Sequence, residues 1–87
     1  MYNVELSDAA LNDLRSFTYT NIQEIFRQLQ NFQNNPKPRG VQTVLIPEAA
    51  DGVAYFCETA LYRIVYNIFE EFHLIKVVAI FKKINLN

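Results

Sequence analysis

Three features of the sequence predict an α+β fold: an alternating opening segment, a central stripe of helical period, and a second half of short β-branched and aromatic runs. Tyr2, Val4 and Leu6 fall on one side of the opening segment and Asn3 and Glu5 on the other, the pattern of a half-buried strand. Ser7 and Asp8 follow as candidate caps, and Ala10, Leu11, Leu14 and Phe17 keep helical spacing, so a short helix is expected over 8–17. Thr20 to Gln23 has the form of a capping box with Thr20 as the cap. Ile22, Ile25, Phe26, Leu29 and Phe32 then recur at i, i+3, i+4, i+7 and i+10, which predicts an amphipathic helix ending near Asn34. Asn35-Pro36-Lys37-Pro38-Arg39-Gly40 breaks it.

Val41 to Ile46 reads as a short strand or an extended connector, ended by Pro47. Val53 to Cys57, Leu61 to Phe69 and Leu74 to Phe81 have strand composition, and the polar pairs Glu58-Thr59 and Glu70-Glu71 read as the turns between them. The expected order is strand, helix, helix and a three- to four-stranded antiparallel meander, with the helical hairpin on one face of the sheet. Alternation in Leu61 to Phe69 places Leu61, Val65 and Phe69 on one face and Tyr62, Ile64, Tyr66 and Ile68 on the other. The 87 residues suffice for one domain, 1–87, and carry no internal repeat, linker or low-complexity segment.

The composition, 51% hydrophobic and 20% charged, is that of a folded chain and excludes a disordered one. No run of roughly 18 apolar residues is present to span a membrane. The first residues lack a basic stretch followed by an apolar run, so no signal peptide is expected. Cys57, without a second cysteine to pair with, suits a reducing cytoplasm. A net charge of −1 argues against a broad nucleic-acid-binding surface, because such binding rests on many Lys and Arg contacts to phosphate. Charge is unevenly spread, however. Acids gather at Glu5, Asp8 and Asp13 and from Glu48 to Glu71, whereas Lys76 to Asn87 holds three lysines and no acid, and Lys37 with Arg39 makes a smaller basic spot. A local basic site is the form that nucleic-acid contact would take.

The order and spacing of four segments resemble the RelE/ParE superfamily, closer to the RelE type, over nearly the whole chain. They are Tyr2-Asn3-Val4-Glu5-Leu6-Ser7 with Ala9, Leu11 and Leu14; Asn35 to Gly40; Leu61-Tyr62-Arg63-Ile64-Val65-Tyr66-Asn67-Ile68; and Ile75 to Lys83. The resemblance implies the toxin of a type II toxin–antitoxin pair, with a cognate antitoxin as partner. RelE-like members cut mRNA on the ribosome and inhibit translation; ParE-like members poison DNA gyrase; an inactive member would only bind its antitoxin. The final Asn85-Leu86-Asn87, with no further helix, is compatible with either type. A homodimer is the alternative to a complex with the antitoxin.

RelE-like cleavage directs the ribose 2′-OH onto the adjacent phosphate, which needs a base, cations for the phosphoryl charge and an acid for the leaving 5′-oxygen. The resemblance assigns Arg63 to the phosphate and carries Lys83 onto the family's second catalytic arginine. A two-residue turn at Glu70-Glu71 would instead place Arg63 opposite Val78, with Lys76 and Lys82 on its face and Lys83 turned away; a bulge or a three-residue turn would exchange Lys82 and Lys83. Lys82 and Lys83 are therefore both candidate catalytic residues, and Lys37, Arg39 and Lys76 are candidate RNA-binding residues. Ala54 and Phe56 stand where the family has strand lysines, and no tyrosine follows Lys83. Tyr55 and Tyr62 are the candidates left for proton transfer. His73 reads as a turn residue and Cys57 as a small core residue. Gly40 and Gly52 stand alone and no metal-ligand spacing occurs, so neither a metal nor any other cofactor is expected.

Overall fold

The structure, a computed structural model, describes residues 1–45 and 53–83. Its elements are β1 Asn3–Leu6, α1 Asp8–Leu14, α2 Tyr19–Asn34, β2 Gln42–Leu45, β3 Val53–Glu58, β4 Tyr62–Phe69 and β5 Leu74–Lys82. Ile46, Pro47, Glu48, Gly52 and the final Asn85-Leu86-Asn87 lie outside the described residues. Among the described residues no helix is long and apolar enough to cross a membrane.

Ser7 caps α1 by accepting the Ala10 N–H at 3.0 Å. The helix stops at Leu14, short of the expected Phe17. Arg15, Ser16 and Phe17 each donate a backbone N–H three residues back, which tightens the chain into a turn. α2 starts at Tyr19 with Thr18 as its cap, accepting the Asn21 N–H at 3.2 Å, so the box centred on Thr20 is not used. Burial decides between the two threonines. Phe17 is buried, and with Thr18 as cap it takes the staple position before the helix, with Ile22 packing at the other end of the staple. Pro38 to Val41 closes a turn through Val41 N–H to the Pro38 carbonyl, and Gly40 supplies its φ of 92°.

The five strands form one sheet in the order β1-β5-β4-β3-β2. β2 to β5 are the expected antiparallel meander. β1 corrects a wholly antiparallel expectation: it lies on the edge, parallel to β5, with Leu6 beside Val77. Alternation in 2–6 identifies a strand but says nothing about its partner. The two helices cover one face of the sheet. Ala10, Leu14 and Phe17 from the α1 region and Ile25, Leu29 and Phe32 from α2 pack with Tyr62, Ile64, Tyr66 and Ile68 of β4 and Ile75, Val77 and Ile80 of β5. Burying each large apolar side chain of this kind stabilises by about 1.5–3 kcal/mol.

The link from β4 to β5 is longer than the expected pair Glu70-Glu71. Glu70–Phe72 make a 3₁₀ turn and His73 adopts φ 47°, so Phe69 pairs with Leu74 across four residues. An even loop keeps the phase that a two-residue turn would have given, and Asn67 pairs with Lys76. A bulge then intervenes: Tyr66 pairs with Val77 but Val65 pairs with Ala79, so Arg63 faces Phe81 and not Val78. α1 holds β5 at this point. Ser7 Oγ donates to the Val78 carbonyl at 3.0 Å, and Asp13 Oδ2 accepts the Ile80 N–H at 2.9 Å.

Candidate functional site

β4 alternates strictly. Tyr62, Ile64, Tyr66 and Ile68 are buried under the helices, and Arg63, Val65, Asn67 and Phe69 are half-exposed on the opposite, outer face. The hairpin between β3 and β4 fixes what stands beside Arg63. Thr59 Oγ1 accepts the N–H groups of Leu61 and Tyr62, each at 3.2 Å, and the Thr59 N–H reaches the Tyr62 carbonyl at 2.9 Å. The closed turn makes Glu58 and Arg63 direct cross-strand neighbours. Past the end of β5, Lys83 donates its backbone N–H to the Leu61 carbonyl at 2.9 Å, which brings its side chain to the same corner.

The result is two cations on one carboxylate oxygen. Glu58 Oε1 lies 2.9 Å from an Arg63 guanidinium nitrogen and 3.2 Å from Lys83 Nζ. Hydrogen bonds from Arg63, then from Lys83, hold the Glu58 carboxyl below the usual carboxylate range. The Arg63 guanidinium also rests over the Phe56 ring, 4.8 Å from its centroid. The cations remain accessible, with 44% of the Arg63 side chain and 39% of the Lys83 side chain exposed. The three side chains together carry a net charge of +1.

The other candidates separate cleanly. The bulge exchanges the two lysines: Lys83 joins Arg63, whereas Lys82 pairs with Tyr62 and donates to the Ser16 carbonyl at 3.2 Å on the helix side. Lys76 shares the outer face but stands opposite Asn67, about 13 Å along β4 from Arg63. Lys37 lies over the Tyr55 ring at 5.3 Å, and Tyr55 stacks on buried Tyr66, so Lys37 belongs to the helix side of the sheet. Arg39 is exposed in the loop after α2. Neither joins the Arg63 corner.

Tyr62 is fully buried beneath the helices, next to Phe17, and burial, reinforced by Glu24, pushes its hydroxyl up to about 12. Tyr55 faces the same way. Neither phenol reaches the outer face, so the expectation that one of them transfers a proton beside Arg63 is corrected; strand alternation turns both away. His73 sits in the β4–β5 turn against Tyr2, with ring centroids 5.3 Å apart, at the opposite end of β4. Cys57 is half-buried against the core, where burial raises its thiol. Among the described residues no three His, Cys, Asp or Glu side chains converge as metal ligands.

No protein-family model matches the sequence, and no curated protein sequence matches it. Solved structures do. The isolated RelE toxin of E. coli superposes with a TM-score of 0.79 at 18% identity, covering 99% of this chain and 88% of that one. The chain has the RelE toxin fold. The archaeal RelE–RelB complex from Pyrococcus horikoshii gives 0.79 at 17% identity, with 93% of each chain covered. A RelBE toxin–antitoxin complex from Mycobacterium tuberculosis gives 0.78 at 14% identity, covering 94% of this chain and 98% of that one.

On this RelE fold, Glu58 and Phe81 are the outer-face residues that sequence reasoning passed over. Glu58 reads in sequence as half of a two-residue turn. Counting back from Arg63 through a four-residue loop, 59–62, would have paired the two. Phe81 reads as one more strand aromatic, and only the register across the bulge places it opposite Arg63.

Proposed function

We propose that this protein is the toxin of a type II toxin–antitoxin pair and acts as a RelE-like, ribosome-dependent mRNA endonuclease. The observation that carries this reading is the convergence of Arg63 and Lys83 on one carboxylate oxygen, on the face of the sheet away from the helices. In the reaction the ribose 2′-oxygen bonds to phosphorus, the phosphorus–5′-oxygen bond breaks, and the 2′-hydroxyl proton leaves as the 5′-oxygen gains one. Arg63 binds two phosphoryl oxygens with its planar fork and Lys83 adds a point charge, both strongest as negative charge builds. Among the described residues Glu58 is the carboxylate paired with these cations, and its ion pairs make it a weak base. The reaction is metal-independent in this reading. The antitoxin is the natural partner, as in the RelE–RelB complexes, and its apolar segment covers the exposed parts of the outer sheet face around Val65 and Phe69.

One observation favours a second reading. Among the described residues no phenol or imidazole stands beside Arg63 and Lys83, which suits a member that binds antitoxin, or gyrase, without cutting RNA. Growth arrest, mRNA cleavage and gyrase–DNA adducts after induction at matched soluble levels separate the readings. Arg63→Ala is expected to lose roughly 10²–10³ in cleavage rate and to become harmless, with antitoxin binding intact. Lys83→Ala should weaken the toxin and Lys82→Ala should not. A fully toxic Arg63→Ala sinks the endonuclease; a harmless wild type favours the inactive member, and adducts without cleavage favour gyrase.

A further inference from the structure

The corner that holds Arg63 and Lys83 also exposes an aromatic ring that the core does not use. Phe81 is 55% exposed, near the end of β5, whose buried residues are Ile75, Val77 and Ile80. It pairs directly with Arg63 across the ladder and shares its side of β5 with Lys83, two residues on. On the same face the small Ala79 precedes it by two residues and pairs with Val65. The side chain is thus open to solvent on the sheet face that also carries Arg63 and Lys83. Arg63 itself leans the other way, over Phe56, which leaves Phe81 uncovered.

Cations that grip a backbone phosphate, next to an exposed ring, make the pattern that binds single-stranded nucleic acid. Phosphates are held by charge and bases stack on the aromatic face whatever their identity. We propose that Phe81 is the stacking platform for the base next to the phosphate held by Arg63 and Lys83, so that this corner binds single-stranded RNA by backbone and ring face, with little sequence preference. The proposal rests on the reading of Arg63 and Lys83 as phosphate ligands and adds a positioning residue to it. A ring fixed on a strand sets where the stacked base lies, and therefore which ribose faces the phosphate. The net charge of +1 at the corner suits a polyanion better than an apolar protein segment.

The chain contains no tryptophan, so Phe81→Trp places a sole tryptophan, excited selectively over the five tyrosines, at the site. Purified protein is titrated with a short oligouridylate, with an abasic chain of the same length and charge, and with inorganic phosphate. Tryptophan quenching by the oligouridylate alone is the expected result. In a parallel anisotropy titration, Phe81→Ala should weaken oligouridylate binding roughly 5- to 150-fold and leave the abasic chain's affinity unchanged. Arg63→Ala should weaken both. Circular dichroism checks that each variant is folded. Equal quenching by the abasic chain, or full RNA affinity in Phe81→Ala, overturns the stacking role while the phosphate reading survives. A wild type that binds neither chain overturns the stacking role, and mRNA cleavage on the ribosome by Arg63→Ala then decides the phosphate reading. Unchanged RNA binding with loss of antitoxin binding in Phe81→Ala assigns the ring to a protein contact instead.

Discussion

The two faces of β4 are made by neighbouring residues of one strand, yet they obey different rules. On the helix side, Tyr62, Ile64, Tyr66 and Ile68 are at most 3% exposed, and what matters there is fit and hydrogen-bond satisfaction. On the outer side, Arg63, Val65, Asn67 and Phe69 stay half-exposed, and the chemistry is charge held on a rigid frame. A residue is assigned to structure or to the site by the parity of its position. Substitutions on the two faces should therefore separate stability from activity.

The largest expected contrast is between adjacent residues. Ile64→Ala removes a fully buried side chain and should cost about 2–5 kcal/mol in denaturant unfolding. Arg63→Ala should stay within about 0.5 kcal/mol of wild type while losing activity. If Arg63→Ala unfolds the protein as readily as Ile64→Ala does, the two faces are not independent.

A smaller contrast lies within the buried face. Tyr66 Oη donates to the Pro36 carbonyl at 2.7 Å, whereas Tyr62 Oη is, among the described residues, a buried polar atom with no hydrogen-bond partner. Tyr66→Phe should cost about 1 kcal/mol and Tyr62→Phe should be neutral or stabilising by a similar amount. Both phenols are held above their ordinary value, chiefly by burial. Unfolded tyrosines release protons near pH 10 while these two retain theirs, so stability should fall as pH rises from about 10 towards 12. Tyr62→Phe should flatten part of that fall in alkaline denaturation curves.

The smallest effect sharpens the outer face. Glu58→Gln removes the carboxylate that competes with an incoming phosphate for Arg63 and Lys83. Affinity for the abasic oligonucleotide should rise roughly a few-fold, the scale of an exposed ion pair. Acidification should act in the same direction: the depressed Glu58 carboxyl holds both cations at neutral pH and lets go as pH falls through and below the carboxylate range. An affinity that drops in Glu58→Gln would make Glu58 a positioning group for Arg63 and not a competitor.

Element order, the apolar stripe of α2, the face assignment within β4 and the outward direction of Arg63 were all legible in the residues, because each is a local period of 3.6 or 2. Tertiary structure decided the rest. Thr18 displaced Thr20 as the cap because Phe17 had a core to enter. β1 took a parallel place beside β5, which no alternation within it could indicate. The choice of Lys83 over Lys82 came from a bulge near Val78, held by Ser7 and Asp13 some seventy positions earlier in the chain. The pairing of Glu58 with Arg63 came from a loop longer than its polar residues suggested. Side-chain period is a property of one strand. The phase between strands depends on loop length and bulges, and a shift of one residue moves every later side chain to the other face.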